Sequence, residues 1–340
     1  MKKFSVCRAT HIVGYFNALR NIGVPIDQKL AQSGLPVWIE DMPNAYVCQS
    51  LALNLLGSCC IGFSPMELGF RTAENLTFDA LEASLSEALQ SAPTGFERIE
   101  LLSKHVAIED SALSIGMVRE GSNIRVNCDF GYMKRHPFIC LREWPVLLGL
   151  TKIIRDIVGP NWHPDELTFM SSDKIPDAAM RGLFGARLLA EQPRTSLLVD
   201  AAILNKTAAP KWDSGHSIAS GHGNSITSRP NKTPWNLPDV IRSVVRPYLG
   251  EGHPELAHTA EVFGVSGRTL QRKLHRTGSC YSEIVQEARF EVAAEMLTDP
   301  KAKIIDIALM AGYDNPQNFS RAFRHFTGFS PSRYRSTLTA

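Results

Sequence analysis

Residues 1–205 mix two apolar periodicities. Spacing near 3.6 residues predicts helices over 11–21, 45–60, 76–91 and 144–158. The third starts after Asn75 and carries apolar Leu76, Ala80, Leu81, Ala83, Leu85, Ala88 and Leu89. Alternation at period two predicts strands over 105–108, 112–120 and 124–130, with Glu120-Gly121-Ser122-Asn123 supplying turn residues between the last two, and short strands over 167–170 and 195–199. The expected architecture of this part is α+β, an antiparallel sheet flanked by helices.

From residue 236 onward the pattern is helical almost throughout. Within 255–278, Ala260 is followed four residues later by Gly264 and then by a helix starting near Ser266. Two helices that cross closely need a small residue at the crossing and a turn residue free to take positive φ; Ala260 and Gly264 supply them. On the second helix Leu270 and Leu274 share one face, while Arg268, Gln271, Arg272 and His275 share another. The stretch 303–335 repeats the arrangement about 48 residues later. Ala308 and Gly312 keep the separation, Phe319, Phe323 and Phe326 form an inward stripe, and Asn315 is placed as N-cap. Gln317, Ser320, Arg321 and Arg324 fall outward. A helix over 281–297, burying Ile284, Ala288, Val292, Ala293 and Leu297, separates the two units as a rigid spacer.

Charge sharpens this picture. The chain carries a formal net charge of only +2, so bulk charge makes no case for nucleic acid. Its distribution does: 266–276 holds four basic residues and no acid, and 315–335 holds four arginines and no acid. The rest of 236–340 is acidic on balance. Basic charge is thus concentrated on the outward helices, where a DNA-facing surface needs it. One Ala-x-x-x-Gly helix pair is weak evidence, since helix hairpins are common and a charged outer face is usually only solvated. Two at matching spacing, both acid-free outside, favour DNA.

Composition sets the remaining bounds. At 340 residues, 44% apolar and 21% charged, the chain is long enough for two globular domains. They divide at 206–235, which is dense in Ser, Gly, Asn, Thr and Pro and reads as a flexible linker. His216 and His222 inside it have only Asp213 nearby and no Cys companion, and the seven cysteines show no CxxC pairing, so no metal, cofactor or disulfide framework is expected. Adjacent Cys59 and Cys60 are read as small buried residues. Arg8, His11, Asn17 and Arg20 interrupt any signal-like apolar run after Lys2 and Lys3, and no stretch approaches the roughly 18 apolar residues that cross a bilayer. The expectation is a cytoplasmic protein with no membrane partner.

Ile307-Ala308, Gly312-Tyr313, Asn318-Phe319-Ser320-Arg321-Ala322-Phe323-Arg324, Phe326, Gly328, Pro331 and Tyr334-Arg335 resemble the signature of the AraC family of transcription regulators, over about residues 238–336. The resemblance implies seven helices in two helix-turn-helix units, each placing one helix in successive major-groove segments of promoter DNA, with RNA polymerase as a partner. It places base-facing positions on Arg268, Gln271 and Arg272 and on Gln317, Asn318 and Arg321, although Pro316 stands where the family often has a polar residue. Arg276, Arg324, Arg333 and Arg335 are read as phosphate contacts or solvated surface.

Gly34-Leu35-Pro36, Leu68-Gly69-Phe70-Arg71, Gly159-Pro160-Asn161-Trp162 with His163-Pro164, Leu167-Thr168-Phe169 and Leu183-Phe184-Gly185-Ala186 resemble the arabinose-binding type of N-terminal domain in one branch of this family, over about residues 14–204. Before the strand at 197–199 the chain departs from it, with Arg194-Thr195-Ser196 and no Asn. The resemblance implies a pocket for a small-molecule effector of open chemistry. Arg119, Arg125, Tyr132, Lys134 and Arg135 are either attractors of an anionic ligand or ordinary exposed charges. The expected function is therefore a sequence-specific, effector-responsive activator, able to pair as a homodimer. Two other readings stay open: a constitutive DNA binder whose N-terminal domain only dimerises, and an enzyme with a helical partner-binding domain. Against the enzyme, there is no Gly-rich phosphate loop, His-Glu-x-x-His or Gly-x-Ser-x-Gly.

Overall fold

The computed structural model describes residues 4–37, 39–75, 80–207, 235–252 and 254–338. Strand β1 (Val6–Arg8) is followed by helices α1 (Thr10–Asn21) and α2 (Ile26–Ala31), and then by strand β2 (Tyr46–Cys48), which pairs antiparallel with β1. Helices α3 (Gln49–Cys59), α4 (Pro65–Glu74), α5 (Ala83–Ser91) and α6 (Gly95–His105) lead to the hairpin β3 (Ser114–Glu120) and β4 (Asn123–Asp129). Next come α7 (Cys140–Val158), β5 (Glu166–Thr168), α8 (Asp177–Gly182), β6 (Arg187–Leu189), β7 (Thr195–Asp200) and α9 (Ala201–Leu204). The larger sheet has the order β3-β4-β7-β5-β6 and is antiparallel except for the parallel pair β5–β6. This is the α+β pattern expected, with one parallel pair added.

The C-terminal part holds seven α-helices among the described residues: α10 (Leu237–Val245), α11 (Leu256–Val262), α12 (Gly267–His275), α13 (Tyr281–Met296), α14 (Ile304–Met310), α15 (Pro316–Thr327) and α16 (Pro331–Leu338). No helix among the described residues is long and apolar enough to cross a membrane.

Three expected elements differ. Residues 105–108 are not a strand. A capping box between Thr94 and Glu97 starts α6, which buries Ile99 and Leu102 at helical spacing, and Val106–Ile108 continues it as a 3-10 turn. The helix expected over 45–60 starts only at Gln49, because Tyr46–Cys48 is drawn into pairing with β1. The helix expected over 76–91 starts at Ala83, where the Glu82 side chain accepts from the backbone N–H of Leu85 at 3.1 Å; residues 76–79 lie outside the described residues. Most of the segment read as a linker, 208–234 with His216 and His222, also lies outside them. Its described ends are anchored. Thr207 bridges to Thr94, and the Trp235 indole N–H donates to the Ala107 carbonyl at 2.7 Å, its ring 4.9 Å from that of Tyr46.

The N-terminal core surrounds α7, where Trp144 packs between Phe70 and Phe169. Pro145 removes one backbone donor inside this helix and so frees the Leu141 carbonyl, which accepts instead from the buried Tyr15 hydroxyl. Buried Glu143 ties α7 to β7 and to the chain after β5 by accepting from Thr195 Oγ1 and the Met170 N–H, each at 2.6 Å. Thr195, at the point of departure from the family pattern, thus has a structural partner.

Strand β1 serves two cores. With side chains alternating across a strand, Cys7 and Val47 enter the N-terminal core, while Val6 and its register partner Cys48 enter a second core with Val240, Ile241 and Leu274. Phe4 adds to that second core, its ring 4.7 Å from Phe263. A third core, with Ala308, Phe319 and Phe323, holds α13 to α16 together.

A buried polar network backs β1. Glu109 accepts from Arg8 Nη1 at 3.0 Å, from the Glu82 backbone N–H at 2.6 Å, and lies 2.6 Å from His11 Nε2. Asp110 accepts from Gln49 Nε2 at 2.7 Å and pairs with Arg142. Burial alone would push the Glu109 carboxyl up, but the His11 hydrogen bond and the nearby His11 and Arg8 charges outweigh it and hold it below its ordinary value.

The two turns between paired helices match bond for bond. Val265 N–H donates to Ala260 O at 3.0 Å and Tyr313 N–H to Ala308 O at 2.9 Å, with Gly264 at φ 60° and Gly312 at φ 75°. Gly312 is constrained twice, since a Cβ there would sit 2.5 Å from the Leu249 carbonyl oxygen.

Two outcomes follow from these contacts. Gly312→Ala should destabilise the chain by roughly 1–3 kcal/mol or more, whereas Gly14→Ala, inside α1 with nothing within 4 Å of the new Cβ, should be neutral or stabilise by about 0.5–1 kcal/mol; denaturant titration checks both. Because the folded-state pKa of Glu109 is depressed, its contribution is present above the unfolded value and lost as pH falls through the folded one. Glu109→Gln should therefore be less stable than wild type at pH 7, and the gap should close as pH drops below about 4, as followed by thermal melts.

Candidate functional site

Two capped helices carry the residues that the sequence singles out. The Ser266 hydroxyl accepts from the Thr269 N–H at 3.3 Å and starts α12; the Asn315 side chain accepts from the Asn318 N–H at 2.8 Å and starts α15. Pro316 occupies the first turn of α15, where its missing N–H costs nothing. The departure from the family pattern is thus sound helix chemistry. Leu270, Leu274, Phe319 and Phe323 are buried beneath these helices, and Ala260 and Ala308 sit buried at the crossings. Phe326 is half-exposed and packs on Phe290 at 4.8 Å instead of joining the inward stripe fully.

Arg268, Gln271, Arg272 and Arg276, with Gln317, Asn318, Arg321 and Arg324, are all exposed. Among the described residues none of the five arginines in this set has a side-chain hydrogen bond or ion pair, so their donors face solvent. Several other cations of the region are committed. Arg242 pairs with Asp239, Glu287 and Glu291, and Arg246 pairs with Glu295. Arg335, read from sequence as a phosphate contact or solvated surface, instead donates to the carbonyls of Pro300 and Ala302 at 3.3 and 2.6 Å and fastens α16. Arg333 stacks on Phe329, 5.0 Å from the ring centre. Lys273, on α12 beside Arg272, lies 4.4 Å over the Phe4 ring, and burial pushes its ammonium pKa down. The unpaired arginines thus form two sets, one on each second helix.

A separate cavity of about 150 Å³ lies in the N-terminal part. One face of α7, with Arg142, Val146, Gly149 and Ile153, forms one wall; Leu102, Val106 and Ile115 lie opposite. His11, Glu109 and Asp110 contribute its charged edge. Arg119, Arg125, Tyr132, Lys134 and Arg135 do not line it. Arg125 is paired with Glu120 and Glu166, Tyr132 donates to Ser5 Oγ at 2.6 Å, and Lys134 and Arg135 are exposed. Sequence reasoning missed Arg142 and Gly149. Their signal was the spacing 142, 146, 149, 153 along one helical face, which also fits a simple core helix. Cys60, at the end of α3, packs against the N-terminal core, and burial raises its thiol to about 11.

A family model described as the arabinose-binding domain of AraC transcription regulators matches residues 23–208, and one described as a helix-turn-helix domain matches 259–337. The HTH-type transcriptional regulator VirS of Mycobacterium tuberculosis is 22% identical over 342 residues, which cover 99% of this chain and 98% of VirS. The ornithine utilization regulator of Pseudomonas aeruginosa is 38% identical over 82 residues, 24% of either chain. Among solved structures, the transcriptional regulator CdpR from Pseudomonas aeruginosa aligns with 92% of this chain and 96% of its own, at 18% identity and a TM-score of 0.39. With both parts of its sequence matched in order, the chain belongs to the AraC family of transcription regulators, carrying an arabinose-binding-type N-terminal domain and a helix-turn-helix DNA-binding region.

Proposed function

We propose that this regulator activates transcription by binding a specific promoter sequence in response to a small molecule held in the cavity beside α7. The division is 1–205 for sensing and self-association, 206–235 as connector and 236–340 for DNA, with RNA polymerase and a second copy of the chain as further partners in the cytoplasm. Catalysis has no part in this reading.

The observation that carries it is the sorting of arginines. Five stand unpaired on α12 and α15 and the turn after α12, while Arg242 and Arg246 pair with Glu287, Glu291 and Glu295 of α13. An unpaired exposed guanidinium keeps its donors for a planar acceptor such as guanine or phosphate. Arg268, Gln271 and Arg272, near the start and middle of α12, are assigned to base edges, as are Gln317, Asn318 and Arg321 on α15. Arg276 caps the far end of α12 and Arg324 lies one turn past Arg321; both are assigned to phosphates.

Effector control is supported by the route from cavity to DNA-binding core. Glu109 and Asp110 line the cavity, the Arg8 N–H donates to the Glu109 carbonyl at 3.0 Å, and Cys7 bridges Asp110. Val6, next along β1, is already inside the core beneath α10 and α12. A ligand that shifts the 109–110 segment therefore acts on a strand that both cores share, which is the differential contact that a two-state switch needs.

Arg272→Ala should lose about 1–3 kcal/mol on the selected duplex and relax preference at one base pair. Arg276→Ala should weaken binding to all duplexes alike and lower the salt slope by about one unit, as loss of one phosphate contact requires. Binding of both variants to cognate and single-base-changed duplexes at several salt concentrations checks this. Equal, sequence-independent losses would overturn the assignment of the reading face.

A further inference from the structure

Three features of the cavity specify its ligand, on the premise that it is the effector site proposed above. Its size is the first. At about 150 Å³ it matches a space that admits a benzene-sized molecule, so the apolar body of the ligand has about six non-hydrogen atoms. Leu81, Leu102, Leu113, Ile115 and Leu150 surround it, which suits hydrocarbon and disfavours a sugar.

The second is which polar capacity is left over. The cavity's acceptors are already used: Glu109 takes Arg8, the Glu82 N–H and His11, and Asp110 takes Gln49, Arg142 and the Ala112 N–H at 2.8 Å. A donor remains. Arg142 is 5% exposed and its Nε–H has no partner, so a buried guanidinium at the wall holds an unanswered N–H. Such a group is costly unless an acceptor arrives, and a guanidinium suits a carboxylate best.

The third is Gly149. It lies in the interior of α7, where glycine is unfavourable and no turn or positive φ calls for it. A Cβ there would meet nothing within 4 Å, because the position opens on the cavity, two turns along the helix from Arg142. We propose that the effector is a compact monocarboxylate, its carboxylate received by Arg142 and its branched or cyclic hydrocarbon lying beside Gly149. Binding draws the Arg142 guanidinium away from Asp110, the residue bridged to β1.

The test uses the full chain with 4-methylpentanoate and its neutral isostere 4-methylpentanamide, read by calorimetric titration. The acid should bind about tenfold or more tightly than the amide. Gly149→Leu, which fills the space without touching Arg142, should abolish binding of both while keeping the circular-dichroism spectrum and melting temperature. Arg142→Gln should remove the preference for the acid; because it also strands Asp110, Gly149→Leu remains decisive if Arg142→Gln fails to fold. Equal binding of acid and amide, no binding of either, or binding retained in Gly149→Leu would overturn the proposal. Ligand binding that passes these tests but leaves DNA affinity unchanged would uphold the ligand assignment and overturn effector control instead.

Discussion

A strand of three residues contributes to both the N-terminal core and the core beneath α10 and α12. Val6 and Cys7 are neighbours in sequence, yet the alternation of β1 sends one side chain under α10 and α12 and the other into the N-terminal core. Each fully buried aliphatic side chain is worth about 1.5–3 kcal/mol, so Val6 alone ties the two cores by an amount that matters in a marginally stable chain. Behind it, Arg8 answers Glu109 and Gln49 answers Asp110, which leaves the strand little freedom to slide. Whatever moves the 109–110 segment moves a wall of both cores.

The second constraint is electrostatic. Helix α13 carries Glu287, Glu291 and Glu295 at four-residue spacing, and uncompensated they would oppose the approach of a duplex. Arg242 pairs with Glu287 and Glu291 and Arg246 with Glu295, so these acids are not the partners of the arginines on α12 and α15. A chain with a net charge of only +2 thereby presents two concentrated basic helices. Backbone geometry supports them, since the positive φ of Gly264 and Gly312 sets both crossings alike.

The helix-turn-helix units were legible because their signals are local: a small residue, a glycine, a cap and an outward face recur within about twenty positions, and the structure reproduces each. The β3–β4 hairpin was legible for the same reason. Where the pattern failed, residues outside the segment had decided. Tyr46–Cys48 has helical neighbours but pairs with β1, some forty residues away, and 105–108 alternates like a strand yet continues a helix fixed by the Thr94–Glu97 capping box. Nothing near residues 236–340 in the sequence points to Phe4, Val6 or Cys48, which pack into the core beneath α10 and α12. The cavity was invisible for a related reason. Arg142 and Gly149 are ordinary members of an apolar helix until Asp110 and the empty space beside α7 are placed against them.

If both units contact DNA as proposed, the 16-residue helix α13 that joins them sets the spacing between their contacts. Two reading helices held on one rigid spacer meet the same side of a duplex in successive turns of its major groove. Hydroxyl-radical footprinting of the full chain on a duplex obtained by random-site selection tests this directly. The proposed reading predicts two protected major-groove segments about 10 base pairs apart, both weakened by Arg272→Ala and Arg321→Ala together; a single short protected segment, unchanged when Arg321 is replaced, would contradict it.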